Sequence, residues 1–322
     1  MIRRPRQHRD TGRVTMHSQP DALAMLPSWR PGPTRDAIVE FLGASSAIDP
    51  ADRVAVFDND GTLWCEKPAY PQLAFFLHEL GAAVKANPAL AERAEYAALL
   101  RRDDAAVAAL GIGRVALALA ELFEGIDPRA FSERSYQFIH QGAHPTLGRP
   151  FAGTVYQPML ELLDALRAHG FATFIVSGGG TEFVRAISSS LYGIAPEGVV
   201  GTLIGYEFRN EGGAPSLVRT ASLTGEANEG AAKVVHIQQH LGRRPVFAAG
   251  NSVGDREMIE WAMAASGPTL GLLVDHDDAE REFAYVSVAG TFESDENIVD
   301  IAQREGWAVA SIRNDWAQVF PA

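Results

Sequence analysis

One cysteine, Cys65, is all the chain carries in 322 residues. No internal disulfide framework can form, and a thiol with no evident histidine partner reads as a buried apolar group. The count leaves the compartment open, with the cytoplasm expected. Positive charge is also scarce: 28 lysines and arginines stand against 40 acidic residues, a formal net charge of −12. That balance excludes the basic face nucleic-acid binding requires. Lysine is scarcest, occurring only as Lys67, Lys85 and Lys233. No apolar run is long enough to span a membrane, and none follows the cluster Arg3, Arg4, Arg6, Arg9 and Arg13 as a signal-peptide core would. The cluster precedes any hydrophobic periodicity, so residues 1–30 are expected to be a disordered tail. Repeats and low-complexity tracts are missing too, and nothing sets an oligomeric state.

What is present begins with Val54-Ala55-Val56-Phe57, a β-branched and aromatic run that predicts a buried strand, followed directly by Asp58-Asn59-Asp60-Gly61-Thr62. Two carboxylates two residues apart at a strand end repel one another unless a cation or proton lies between them, so the pair is costly as structure and useful as chemistry. Upstream, Thr34 to Leu42 predicts a short helix capped by Thr34 and stopped near Gly43. From about Pro68 to Arg149 the apolar spacing is helical throughout, as in Leu73, Phe76, Leu77 and Leu80. An αβ rhythm then resumes. Strands are expected at Phe171–Val176, Val246–Ala249 and, last in the core, Leu270–Val274, with a small hairpin around Gly212-Gly213 and helices over 183–191, 231–241 and 257–264. Alternating strands and helices predict an α/β fold with a Rossmann-like, doubly wound parallel sheet and ligands at the strand C-termini.

Three further features fall at strand ends or helix starts. Ser177-Gly178-Gly179-Gly180-Thr181 joins a hydroxyl to small residues that let main-chain amides approach an anion. Lys233 opens the 231–241 helix. Gly250-Asn251-Ser252-Val253-Gly254-Asp255-Arg256-Glu257-Met258 follows the strand at 246–249.

In this order the four sites resemble the motifs of the haloacid-dehalogenase-like (HAD) phosphohydrolases, in particular the phosphoserine-phosphatase type. The first, D-x-D-G-T, is met by Asp58 and Asp60; the last, G-D-x-x-x-D-x-x-M, is met except that Asn251 replaces its first aspartate. The resemblance implies a core of residues 31–67 and 150–322, with 68–149 inserted as an all-helical cap. It implies that Asp58 attacks phosphorus, that Asp60 moves the proton of the leaving oxygen, and that Ser177 and Gly178 bind the phosphoryl group. Lys233 would be the phosphate-binding cation, with Arg219, Arg243 and Arg244 as basic alternatives. Mg²⁺, a hard ion served by oxygen ligands, would be held by Asp58, the carbonyl of Asp60, Asp255, and Asn251 directly or through water. The implied activity is phosphomonoester hydrolysis of a small phosphorylated metabolite through an aspartyl-phosphate. Phosphotransfer to an alcohol, or phospho-ligand binding without turnover, are the alternatives. The resemblance spans residues 54–274. Outside these motifs, His276-Asp277-Asp278 reads as a solvated loop, His140 and His144 as edges of the helical block, and Glu66 with Lys67 as substrate-facing by approximate spacing only.

Overall fold

The computed structural model describes residues 21–292 and 294–322; the arginine cluster lies outside them. The central strand is β1 (Val54–Phe57), whose four side chains are all fully buried. Val54 and Val56 enter one core with Ile237, Met258 and Ile259, while Ala55 and Phe57 enter another with Leu162 and Phe247. Alternation of the strand thus supplies two cores, one on each face, as a sheet covered on both sides requires.

The other strands among the described residues are β2 (Ala172–Gly180), β3 (Val199–Glu211), β4 (Ala214–Thr224), β5 (Phe247–Gly250), β6 (Leu270–Asp275) and β7 (Ala308–Ser311). Their order is β4-β3-β2-β1-β5-β6-β7, parallel throughout except for the antiparallel hairpin β3–β4. The chain runs from β1 to β2 on one side and later returns to β5 on the other, so β1 marks the point where winding reverses. Such a switch point opens a crevice at the strand C-termini.

Helix α1 (Pro33–Ala44) precedes β1, and between β1 and β2 the described residues form helical elements and no strand: α2 (Pro71–Ala86), α3 (Ala94–Arg101), α4 (Asp104–Leu110), α5 (Ile112–Glu121), α6 (Pro128–Gln141) and α7 (Gln157–Ala168). Leu80, Tyr96, Leu99, Val115, Ala118 and Leu119 form a separate apolar cluster in this block. The remaining helices are α8 (Thr181–Tyr192), α9 (Ala231–Leu241), α10 (Arg256–Met263), α11 (Ile298–Glu305) and α12 (Ile312–Asp315). Phe75 on α2 stacks on Phe123 at 5.6 Å and lies 5.7 Å from Phe183 on α8, joining the helical block to the sheet layer. No helix among the described residues is long and apolar enough to cross a membrane.

Several expectations are corrected. The hairpin is long, not small, because its outer halves are solvent-facing and lack the apolar pattern that marks a buried strand. β2 continues through the glycines to Gly180, where the main chains approach so closely that a Cβ on Gly201 would lie 2.8 Å from the Gly179 carbonyl oxygen. Thr34 does not cap α1; its hydroxyl donates to the Val309 carbonyl at 2.9 Å. Leu270–Asp275 is not the last core strand, since β7 lies beyond it. Residues 21–30 do not continue a tail: Leu26 and Trp29 are buried, and Trp29 meets Trp316 edge-on at 6.0 Å. Main-chain bonds from Arg30 to Asp315 (2.7 Å) and from Ala317 to Ser28 (2.8 Å) fasten the two segments together.

Trp316 is fully buried in this clasp. Trp316→Ala is expected to lower unfolding free energy by about 3–5 kcal/mol, as large-to-small changes of buried aromatics do, measurable by urea denaturation.

Candidate active site

Asp58 follows the last residue of β1, and its amide donates to the Ala249 carbonyl at 2.8 Å, which keeps it in line with β5. Its Oδ1 accepts a hydrogen bond from Lys233 Nζ at 2.7 Å. The same ammonium donates to Asp255 Oδ1 at 2.6 Å and to the Val176 carbonyl at 2.9 Å. An ammonium has three protons, and these three acceptors use them all. Lys233 is 2 % exposed, and the two aspartates hold it protonated well above the usual lysine range against the opposing pull of burial. Burial, then the charge of Asp255, raise the Asp58 carboxyl above its ordinary range, with Lys233 pulling it back.

Asp60 is raised as well, by loss of hydration, although Trp64 Nε1 donates to its Oδ1 at 2.9 Å. Gly61 turns the chain here with φ +77°, and a Cβ at that position would lie 2.0 Å from Asn251 Nδ2. The turn is therefore glycine by conformation and by contact. Asp255 is positioned by a reciprocal arrangement at the start of the helix, its Oδ2 accepting from the amides of Asn251 and Ser252, each at 3.0 Å.

Asp58, Asp60, Lys233, Asn251 and Gly178 line one cavity of about 530 Å³. Asp255 and Ser177 are buried behind them, the Ser177 hydroxyl accepting from the Gly179 amide at 3.0 Å. Of the basic alternatives to Lys233, Arg243 and Arg244 lie elsewhere and donate to the carbonyls of Ala51 and Ala264, while Arg219 reaches the wall of the same cavity but pairs with Glu182. Glu66 does reach the cavity wall, where burial pushes its carboxyl up to about 7.

No group of three or more His, Cys, Asp or Glu side chains among the described residues is placed to hold a metal. The donor set here is of another kind. Asp58 Oδ2 and Asn251 Oδ1 converge on one hydroxyl, that of Thr62, at 3.3 and 3.4 Å. A carboxylate and an amide oxygen side by side, next to a second carboxylate, Asp60, are the hard donors that suit Mg²⁺. Asp255 is less free, because both of its oxygens already accept strong donors.

The solvated-loop reading of His276-Asp277-Asp278 is overturned. His276 and Asp278 are buried, the latter held by Arg281. His276 Nε2 lies 2.8 Å from the Gly61 carbonyl, which can only accept, so that nitrogen carries a proton. His276 Nδ1 meets Glu282 Oε2 at 3.2 Å, and Glu282 also accepts from Cys65 Sγ and Tyr156. The pair thus braces the turn after Asp60. Its one sequence signal is position, since His276 follows the end of β6 as Asp58 follows β1. His144 is likewise buried, its Nε2 2.8 Å from the Lys67 carbonyl.

Burial pushes the Glu282 carboxyl up, but His276, Cys65 and the Phe283 amide together hold it below the ordinary glutamate range. A depressed carboxyl stabilises the fold above the unfolded-state pKa, and that contribution is lost as pH falls through the folded-state value. Glu282→Gln is expected to cost about 2 kcal/mol or more near neutrality, since it takes a charged acceptor from the buried Cys65 and Tyr156 and from the Phe283 amide. The difference from wild type should shrink as pH drops below the usual carboxylate range, read from thermal unfolding at graded pH.

The family of haloacid dehalogenase-like hydrolases matches residues 55–260, well over half of the chain. A conserved protein of unknown function from Anaerococcus prevotii DSM 20548 is similar in structure (TM-score 0.55, 14 % identity, covering 86 % of this chain and 90 % of that one). A protein of unknown function from Bordetella pertussis Tohama I follows with TM-score 0.49 and 19 % identity, over 80 % and 97 % of the two chains. A substrate-bound phosphoserine phosphatase matches with TM-score 0.37 and 15 % identity over 79 % and 98 %. No curated protein matches significantly in sequence. By the extent of the family match, the chain belongs to the haloacid dehalogenase-like hydrolases.

Proposed function

We propose that this hydrolase is a Mg²⁺-dependent phosphomonoesterase acting on a small phosphorylated metabolite through an aspartyl-phosphate on Asp58. The observation that carries the reading is the Lys233 ammonium shared by Asp58 and Asp255 at the floor of a cavity that also presents Asp60. Asp58 attacks phosphorus, the ester P–O bond breaks, and the Asp60 carboxyl passes its proton to the departing alkoxide. The raised Asp60 carboxyl suits that first proton transfer. Asp60 then takes a proton from the water that attacks the aspartyl-phosphate, releasing phosphate and restoring both carboxyl groups. Lys233 neutralises charge on the transferring group, and Gly178 and Ser177 bind its oxygens, since phosphoryl transfer depends chiefly on positioning and charge. Mg²⁺ would be held by Asp58, the Asp60 carbonyl, Asn251 and Asp255, and when bound supplies divalent charge against the crowded carboxylates and the phosphoryl oxygens. Residues 68–149 serve as the cap over this floor, with 31–67 and 150–322 as the core.

Release of phosphate from p-nitrophenyl phosphate, with Mg²⁺ and after chelation, tests the reading. Activity is expected only with the cation. Asp58→Asn should abolish turnover with an unchanged circular dichroism spectrum. Lys233→Ala should cost more than about 100-fold, and Lys233→Arg should recover little, because a planar fork cannot meet three acceptors arranged around one nitrogen. Hydrolysis that survives in Asp58→Asn would reject the covalent route.

A second test uses Asn251, whose Nδ2 faces Glu66 Oε1 at 3.4 Å and the Ser287 hydroxyl at 3.1 Å. Asn251→Asp replaces a donor by an anion beside a buried carboxyl. The metal-free variant should melt below wild type, and Mg²⁺ should raise its Tm by more than it raises that of wild type. Equal Mg²⁺ responses would place residue 251 outside the metal's shell.

A further inference from the structure

The cavity above the carboxylate floor has a different character from the floor itself. Its upper walls carry Leu73 and Phe76 from α2, Leu119 from α5, Ile204 and Leu223 from the hairpin, and Val288. Polar side chains also reach these walls, and apart from Tyr70 and the Gln72 amide nitrogen beside the floor their hydrogen-bonding groups are largely engaged within the protein. Gln72 accepts from the Gly180 amide at 2.8 Å, and Thr202 donates to the Gly178 carbonyl at 2.8 Å. Glu229 accepts from the Gly290 amide at 2.6 Å and from the Thr291 hydroxyl.

Among the described residues, the cations lining the cavity are Lys233 and Arg219. Lys233 is saturated as described above. Arg219 donates to Glu182, and its guanidinium lies 3.9 Å from the centre of the Phe131 ring. Its Nη1 has no hydrogen-bond partner and is buried out of a solvent molecule's reach. A phosphorylated amino acid would bring a carboxylate to walls whose one lining cation besides Lys233, Arg219, is already charge-paired with Glu182. A sugar or nucleoside would bring many hydroxyls and ring nitrogens to walls that keep few free donors and acceptors. Leaving such groups unpaired on desolvation is costly, whereas alkyl or aryl surface gains by the same transfer.

We propose that the ligand is the monophosphate of an apolar alcohol or phenol, its phosphate on the carboxylate floor and its alkyl or aryl group against Phe76, Leu119, Ile204 and Leu223. As a substrate assignment this rests on the phosphatase reading. The preference for apolar groups rests on the walls alone.

The n-alkyl phosphates from methyl to octyl isolate the effect, because their leaving alcohols have nearly the same acidity while their apolar area grows step by step. With Mg²⁺ present, kcat/KM is expected to rise about fourfold per methylene until the cavity is filled. O-Phosphoserine and glycerol 3-phosphate should fall with the shortest members. A parallel series of alkylphosphonates, whose C–P bond resists hydrolysis, should raise Tm in the same graded way. Leu223→Asn, at a side chain 55 % exposed and so not needed for the core, should reduce kcat/KM for hexyl phosphate by a larger factor than for methyl phosphate. A flat series, phosphoserine equal to hexyl phosphate, or equal factors in the variant would overturn the proposal and leave the phosphatase reading standing. Graded phosphonate binding with no turnover of any ester would do the reverse, keeping the ligand class and rejecting hydrolysis.

Discussion

The arrangement of the site depends on one ammonium group. Lys233, at the start of α9, reaches Asp58 beyond β1, Asp255 beyond β5 and the carbonyl of Val176 within β2. Four elements far apart in sequence are thereby fixed at one nitrogen. Each buried ion would cost several kcal/mol alone, and only this geometry offsets the loss of water. Removing the lysine would leave two carboxylates to neutralise themselves by protonation, and a protonated Asp58 could not serve as the proposed nucleophile. The bridge that stabilises the floor is thus the same one that keeps its chemistry available.

Around that point, small residues decide how closely the loops may approach. Gly61 lets the turn after Asp60 lie against Asn251, and a Cβ on Gly250 would lie 2.4 Å from that of Asp255. His276 and Glu282 then hold the Gly61 carbonyl from beneath. The two acidic loops are consequently set by contacts that involve neither substrate nor metal, so the floor is organised before a ligand arrives.

Much of this was legible in the sequence because the chemistry is local. Asp58 and Asp60 follow an unmistakable buried strand, and the shortage of lysine singled out Lys233. The helical block between β1 and β2 announced itself through periodicity. What escaped has long-range causes. β7 is four small or β-branched residues with no alternation to betray it, and its strand character comes from pairing with β6. Residues 21–30 offer Leu26 and Trp29 as their large buried side chains, and Trp29 has meaning only beside Trp316. His276 looked solvated because two acidic neighbours flank it, yet its partner Glu282 folds back over it. The apolar walls of the cavity were invisible for the same reason, since Phe76, Leu119 and Leu223 belong to elements that meet only in three dimensions.

Arg219 carries a consequence beyond its place in the wall. Its main chain exchanges two hydrogen bonds with residues 125 and 126, at 2.8 and 2.9 Å, while its side chain is gripped by Glu182 and Phe131. Helical block and hairpin are thereby joined along one seam into a continuous surface. A surface set in advance surrenders little freedom when a ligand settles on it. Discrimination among ligands of one charge is then written mainly in how long each stays, and hardly at all in how fast it arrives.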